Sequence, residues 1–205
     1  MRTITRLASL LLIALPLGCS ATSLDSSWRN PAYAGGTFRK IMVMVASQDA
    51  SLRRQTEDAF VAQFASRGVQ GIPSYTLLPQ DTPPSNDQLT QVVHQSGADA
   101  VLAARLIDRT QETSNFSGGA PNMYPSSYTS YYSSGLSPSV SSSSYTYDVF
   151  TIETKFYQVS PENLIWTGTT RTSDPTDRQR ELNNFTRIIS EALTKQNLIP
   201  PVAAK

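Results

Sequence analysis

One cysteine, Cys19, and one histidine, His94, are all that the 205-residue chain holds of the side chains most used for disulfides, thiolate metal cages and imidazole catalysis. A lone cysteine excludes an intramolecular disulfide and a multi-cysteine zinc site. A lone histidine needs a positioned nucleophile and an orienting acid to act as a base, and no Gly-x-Ser-x-Gly elbow is present. His94, beside Val92 and Val93, therefore reads as a partly exposed helix residue, and no metal or cofactor is implied. Long apolar stretches are also missing. The longest, Leu7 to Leu17, has eleven residues; at about 1.5 Å each they cover about half of a ~30 Å hydrocarbon core. Gly35-Gly36 and Gly118-Gly119 do not sit between a strand and a helix, as a phosphate-cradling loop requires. Between Thr113 and Thr146 there is no charged residue at all.

What is present begins with a leader. Arg2 and Arg6 precede the apolar stretch, and Gly18-Cys19 closes it, which is the order of an exported and cleaved signal segment. The segment resembles the lipobox of bacterial lipoproteins, with Pro16 and Leu17 standing where that pattern has Leu and a small residue. The resemblance implies removal of residues 1–18, diacylation of Cys19 and N-acylation of the new terminus. Ser20 in place of Asp implies the outer membrane, facing the periplasm. Several acyl chains, each contributing about 0.8 kcal/mol per buried methylene, hold a protein far more firmly than one. Loss of Arg2 and Arg6 takes the seventeen basic residues to fifteen against sixteen acidic ones, a net charge of −1. That balance gives no long-range attraction for nucleic acid.

The chain length supports one core. Residues 19–36 are small, polar and without an apolar face, and are expected to form a lipidated tether of at most about 60 Å. An α/β domain is expected over residues 37–200, with 201–205 as a tail. Lys40–Ala46 is a continuous apolar run suited to a central strand. Asp49 or Ser51 caps a helix from about Leu52 to Arg67, stopped by Gly68. Gln70–Leu78 reads as a short strand placed at an edge by Pro73. Ser85 and Gln88 form a capping box for a helix ending at Gly97. Asp99–Asp108 is a buried strand, Tyr147–Gln158 and Leu164–Thr172 a hairpin. Asp174 is the expected cap of a last helix that carries Leu182, Phe185, Ile189 and Leu193 at helical spacing. The expectation is a mixed sheet of about five strands, βαβαβ then a β-hairpin, with three helices. Residues 113–146, rich in Ser and Tyr, are expected to form a flexible loop.

With these elements located, the chain resembles a widespread group of uncharacterised Gram-negative envelope lipoproteins. In that group a Trp near the mature start (Trp28), an Arg-x-x-Glu in the first helix (Arg54 and Glu57) and a Gly-x-Asp-x-Val/Leu strand recur. Element order is similar, more distantly, to the amino-terminal domain of TolB, the curli-secretion lipoprotein and lipoprotein activators of penicillin-binding proteins. The resemblance implies scaffolds and adaptors without catalytic residues, although order of elements alone is an analogy of fold.

Arg53 and Arg54 in a first helical turn oppose the helix dipole. Two readings stand: an ion pair with Glu57 plus stem packing, or contact with an anionic partner through Arg53, Arg54 and Glu57. Trp166 reads as core or sheet surface. Tyr124, Tyr128, Tyr131 and Tyr132, set among Ser and Gly, have the composition of adaptable recognition loops, and a solvated spacer is the alternative. The favoured function is a non-catalytic binding or assembly component, joined to the membrane through its lipid and to an envelope protein or further copies of itself. The rival is an enzyme acting on envelope glycan or peptide through converging carboxylates, for which Asp49, Glu57, Asp99, Glu112 and Glu153 are the candidates.

Overall fold

The computed structural model describes residues 22–78, 84–117, 142–175 and 177–202. Residues 1–18, expected as a leader, Cys19, and Tyr124, Tyr128, Tyr131 and Tyr132 lie outside the described residues. In chain order the elements are β1 (Thr22–Arg29), β2 (Lys40–Ala46), α1 (Ala50–Ala65), β3 (Gln70–Pro73) with a 3-10 turn at Ser74–Thr76, α2 (Asn86–Ser96), β4 (Ala100–Ser117), β5 (Ser142–Gln158), β6 (Asn163–Ser173) and α3 (Arg178–Lys195). The strands form one six-stranded sheet in the order β1-β6-β5-β4-β2-β3. β2 pairs parallel with β3 and β4, and the remaining pairs are antiparallel.

The punctuation of the sequence explains most boundaries. Asp49 caps α1, its carboxylate accepting from the backbone N–H of Ser51 (2.9 Å) and Leu52 (3.0 Å). Ser85 and Gln88 make the reciprocal capping box of α2, and Gly68 and Gly97 adopt left-handed φ of 68° and 64° after the first two helices. β3, which contains Pro73, is an edge strand, where a missing N–H breaks no ladder.

Three expectations are corrected. The segment 19–36 is not a tether throughout, because Thr22–Arg29 forms β1 along β6, from Thr22↔Thr172 to Arg29↔Trp166. This strand is polar because it lies at the sheet edge and is held by backbone pairing, so no apolar alternation announces it. The segment 113–146 is not a loop throughout either. Residues 113–117 and 142–146 pair in register, from Thr113↔Thr146 to Ser117↔Ser142. Strand pairing satisfies the N–H and C=O groups that the two strands turn to each other and needs no apolar alternation, and Thr, Tyr and Phe suit it. Finally, Asp177 rather than Asp174 caps α3, accepting from the Arg180 N–H at 3.1 Å. Asp174 still belongs to the ladder, its N–H donating to the Asp148 carbonyl at 2.8 Å, and turns left-handed at φ 47°.

The core lies between the sheet and the helices α1 and α3. Ile41, Val43, Leu102 and Phe156 from the sheet meet Phe60 and Phe64 of α1 and Ile189 and Leu193 of α3, all fully buried. Each such side chain contributes roughly 1.5–3 kcal/mol relative to exposure. The rings of Phe60 and Phe185 lock the two helices together edge to face, 5.4 Å apart at 79°. Trp166 is buried on β6, beside Gly168; a Cβ at Gly168 would clash with the edge of the Trp166 ring. Right-handed crossovers put α2 on the opposite face, where no residue of it is fully buried. Among the described residues no helix is long and apolar enough to cross a membrane.

Candidate functional site

Because α1 leaves β2 on one face and α2 returns to β4 on the other, β3 and β4 flank β2 on opposite sides. In open α/β sheets such a switch point leaves a crevice at the carboxyl ends of the strands. Clefts open there on both faces. On the α1/α3 face a cavity of about 1000 Å³ has an apolar floor that includes Leu52, Phe150, Ile152, Leu182 and Phe185, and a rim carrying Asp49, Arg105, Asp148 and Arg178. On the α2 face a groove of about 800 Å³ runs past Met44, Leu89, Ala103, Arg105, Glu153 and Tyr157.

Above the first cavity the β4–β5 pair leaves the sheet. Its register slips between Leu106 and Asp108, which leaves Leu106 52% and Ile107 47% exposed. A bulge re-aims side chains where pairing changes. Two adjacent large apolar side chains on the surface were not anticipated; the break of alternation at Leu106-Ile107-Asp108 is the signal that marks them.

The base of this ribbon is laced by ion pairs. Arg109 donates to Asp148 at 2.9 Å and stands over the Phe150 ring at 5.2 Å; Gln111 donates to Asp148 at 3.3 Å; Arg171 pairs with Glu112. The hydrogen bonds from Arg109 and then Gln111 hold the Asp148 carboxyl below the usual carboxylate range. Tyr147 donates to Glu112 at 3.2 Å, and this bond, ahead of desolvation, pushes its phenol up.

The structure separates the residues singled out in α1. Glu57 is 0% exposed and accepts from the Arg53 guanidinium (3.0 Å), the Ser74 hydroxyl (2.8 Å) and the backbone N–H of Val45 (3.1 Å) and Tyr75 (3.0 Å). Arg53, with 13% of its side chain exposed, also reaches the Ser74 hydroxyl at 2.8 Å. Glu57 thus fastens α1 to the end of β2 and the turn after β3. A partner contact through Glu57 is corrected: no part of its carboxylate is presented. Arg54 is exposed, its guanidinium 5.7 Å from the Tyr75 ring. The arginine that pairs with Glu57 is its i−4 neighbour Arg53, as helix geometry favours.

The carboxylates considered for catalysis have separate tasks. Asp49 caps α1. Asp99 accepts from the N–H of Arg39 (2.8 Å) and Lys40 (3.0 Å) at the amino end of β2. Glu112 serves the ribbon base, and Glu153 pairs with Arg105 (2.9 Å) and Lys155 (3.5 Å) on the α2 face. Among the described residues no group of three His, Cys, Asp or Glu could hold a metal ion. His94 is exposed on α2, and Trp28 is 46% exposed on β1.

Comparison with solved structures finds PelC from Paraburkholderia phytofirmans, a dodecamer, at 12% identity and a TM-score of 0.43, covering 80% of this chain and 95% of that one. Lipoprotein GNA1162 from Neisseria meningitidis matches at 11% identity and 0.41, covering 77% and 96%. A minor lipoprotein from Acinetobacter baumannii matches at 13% identity and 0.32, covering 80% and 97%. No family model and no curated protein matches the sequence.

Proposed function

We propose that the chain is a lipid-anchored, non-catalytic binding or assembly component of the bacterial envelope, held at the outer membrane and facing the periplasm. The observation that carries this reading is the leader, in which Arg2 and Arg6, the apolar stretch Leu7 to Leu17 and Gly18 lead directly into the sole cysteine. The dispersal of Asp49, Glu57, Asp99, Glu112 and Glu153 over structural tasks supports a binding rather than a catalytic role. The open cleft beneath Leu106, apolar in its floor and charged at its rim, supplies a surface for it.

The anchoring half of the reading is tested by Cys19→Ser, which is expected to move the protein from the membrane to the soluble envelope fraction; an unchanged distribution refutes it. The binding half is tested by a photo-crosslinking residue at Leu106 in intact cells. A defined adduct with an envelope protein or a second copy, lost on Phe150→Asp, is expected. Turnover of envelope glycan or peptide by the purified chain would establish the enzyme reading instead.

A further inference from the structure

Resting on the lipid-anchored reading above, we propose that the β4–β5 ribbon lies against the same membrane surface that holds Cys19, at the depth of the lipid headgroups. The spacing of the chain brings the two together. β1 begins at Thr22, so three residue steps separate its first paired residue from Cys19. At about 3.3–3.6 Å per step they span at most ~11 Å. The fold is held close to its anchor, where a tether from residue 19 to 36 would have let it stand far off.

Strand direction then decides what faces the bilayer. Thr22 pairs with Thr172, Thr172 with Phe150 and Phe150 with Arg109, so these four residues form one row across the sheet. From that row β1 leads back towards Cys19, and β4 and β5 continue in the same direction to the pair Ser117↔Ser142. Eight residues at about 3.4 Å carry the ribbon ~27 Å past the row, well over twice the reach of the spacer. Neighbouring strands are about 4.8 Å apart, so the ribbon base stands only ~10–14 Å to the side of Thr22. An anchored chain of this shape brings the ribbon to the lipid.

The chemistry of the ribbon changes along its length in the sense a membrane surface requires. At its base Arg109 is paired with Asp148, and Glu112 with Arg171. Beyond Glu112 on one strand and Asp148 on the other, residues 113–117 and 142–147 carry no charge. Strands left open to water are ordinarily protected by charged side chains, and a two-stranded ribbon without further support is marginal in water. Its free edges cannot be satisfied in hydrocarbon, which limits it to the headgroup layer. Tyr147, at the near end of this uncharged stretch, is of a residue type that suits that layer.

The test places an environment-sensitive probe on the lipidated full chain in phosphatidylethanolamine/phosphatidylglycerol vesicles, at Asn115→Cys in the ribbon and at Glu162→Cys in the β5–β6 turn at the other end. Thr113→Cys replaces the first if it does not fold. The ribbon probe is expected to lose quenching by aqueous iodide and gain quenching by headgroup-labelled lipid; the turn probe is expected to stay in water. A vesicle-bound, acylated chain whose two probes are equally aqueous overturns the ribbon proposal and leaves the anchor standing. Mass spectrometry showing an unmodified Cys19 overturns the anchor, and the proposal with it.

Discussion

The hydroxyl of Thr22 donates to the carboxylate of Glu181 at 2.8 Å, joining the first strand to the last helix across 159 residues of sequence. Both groups are buried, and Thr22 also meets the Thr172 hydroxyl at 2.9 Å. This contact fixes the polar edge strand against α3 at the amino end of β1.

Thr22→Val should lower stability by about 1–3 kcal/mol, because a buried carboxylate loses a donor while the strand keeps its shape. Urea unfolding of the single variants and of Thr22→Val combined with Glu181→Gln measures the coupling. Strictly additive losses would deny that the pair acts as a unit.

Glu57→Ala should cost about 3–5 kcal/mol, since it strands the Arg53 guanidinium in a site with little water and frees the backbone N–H groups of Val45 and Tyr75. Arg54→Ala, at an exposed position, should stay within about 0.5 kcal/mol. A fall in melting temperature for Arg54→Ala comparable with that of Glu57→Ala would contradict this division of labour.

Gly168→Ala should destabilise the sheet by about 1–3 kcal/mol, because the added methyl must displace the buried Trp166 ring. Trp166→Phe in the same chain should recover part of that loss. The melting temperatures of the two variants and their combination decide the matter.

The ribbon base should loosen in acid. The folded pKa of Asp148 lies below its unfolded value, so its contribution is complete above the ordinary carboxylate range and is lost as pH falls through the folded value. Tyr147, raised by its hydrogen bond to Glu112, behaves oppositely: its contribution is complete below the ordinary tyrosine pKa and is lost as pH rises through the folded one. Between about pH 5 and pH 3, hydrogen exchange of the Thr110–Thr113 amides should slow less than the intrinsic rate does in the wild type, and Asp148→Asn should remove that difference.

Periodicity and caps were enough to place β2, the helices α1 and α2, and the pairing that makes β3 an edge, because those elements bury one face and their ends need particular residues. Asp49, Ser85 with Gln88, Gly68 and Gly97 each act within a few residues of themselves, so their meaning is written locally. Glu57 shows the limit of such reading. Its spacing from Arg53 and Arg54 marks an ion pair, but only the approach of Ser74 and Tyr75 from the turn after β3 decides that it is buried and shared.

The sequence by itself determined the apolar stretch before the lone Cys19, the charge-free stretch and the helical and apolar periods, all of which are properties of neighbouring residues. The tertiary structure alone decided that Thr22–Arg29 is a strand, that β4 and β5 run on past the sheet, and that this extension lies at the same end of the sheet as Thr22. Those elements are polar and are held by backbone hydrogen bonds to distant strands. Such bonds are available to nearly any residue, so they leave little trace in the order of side chains.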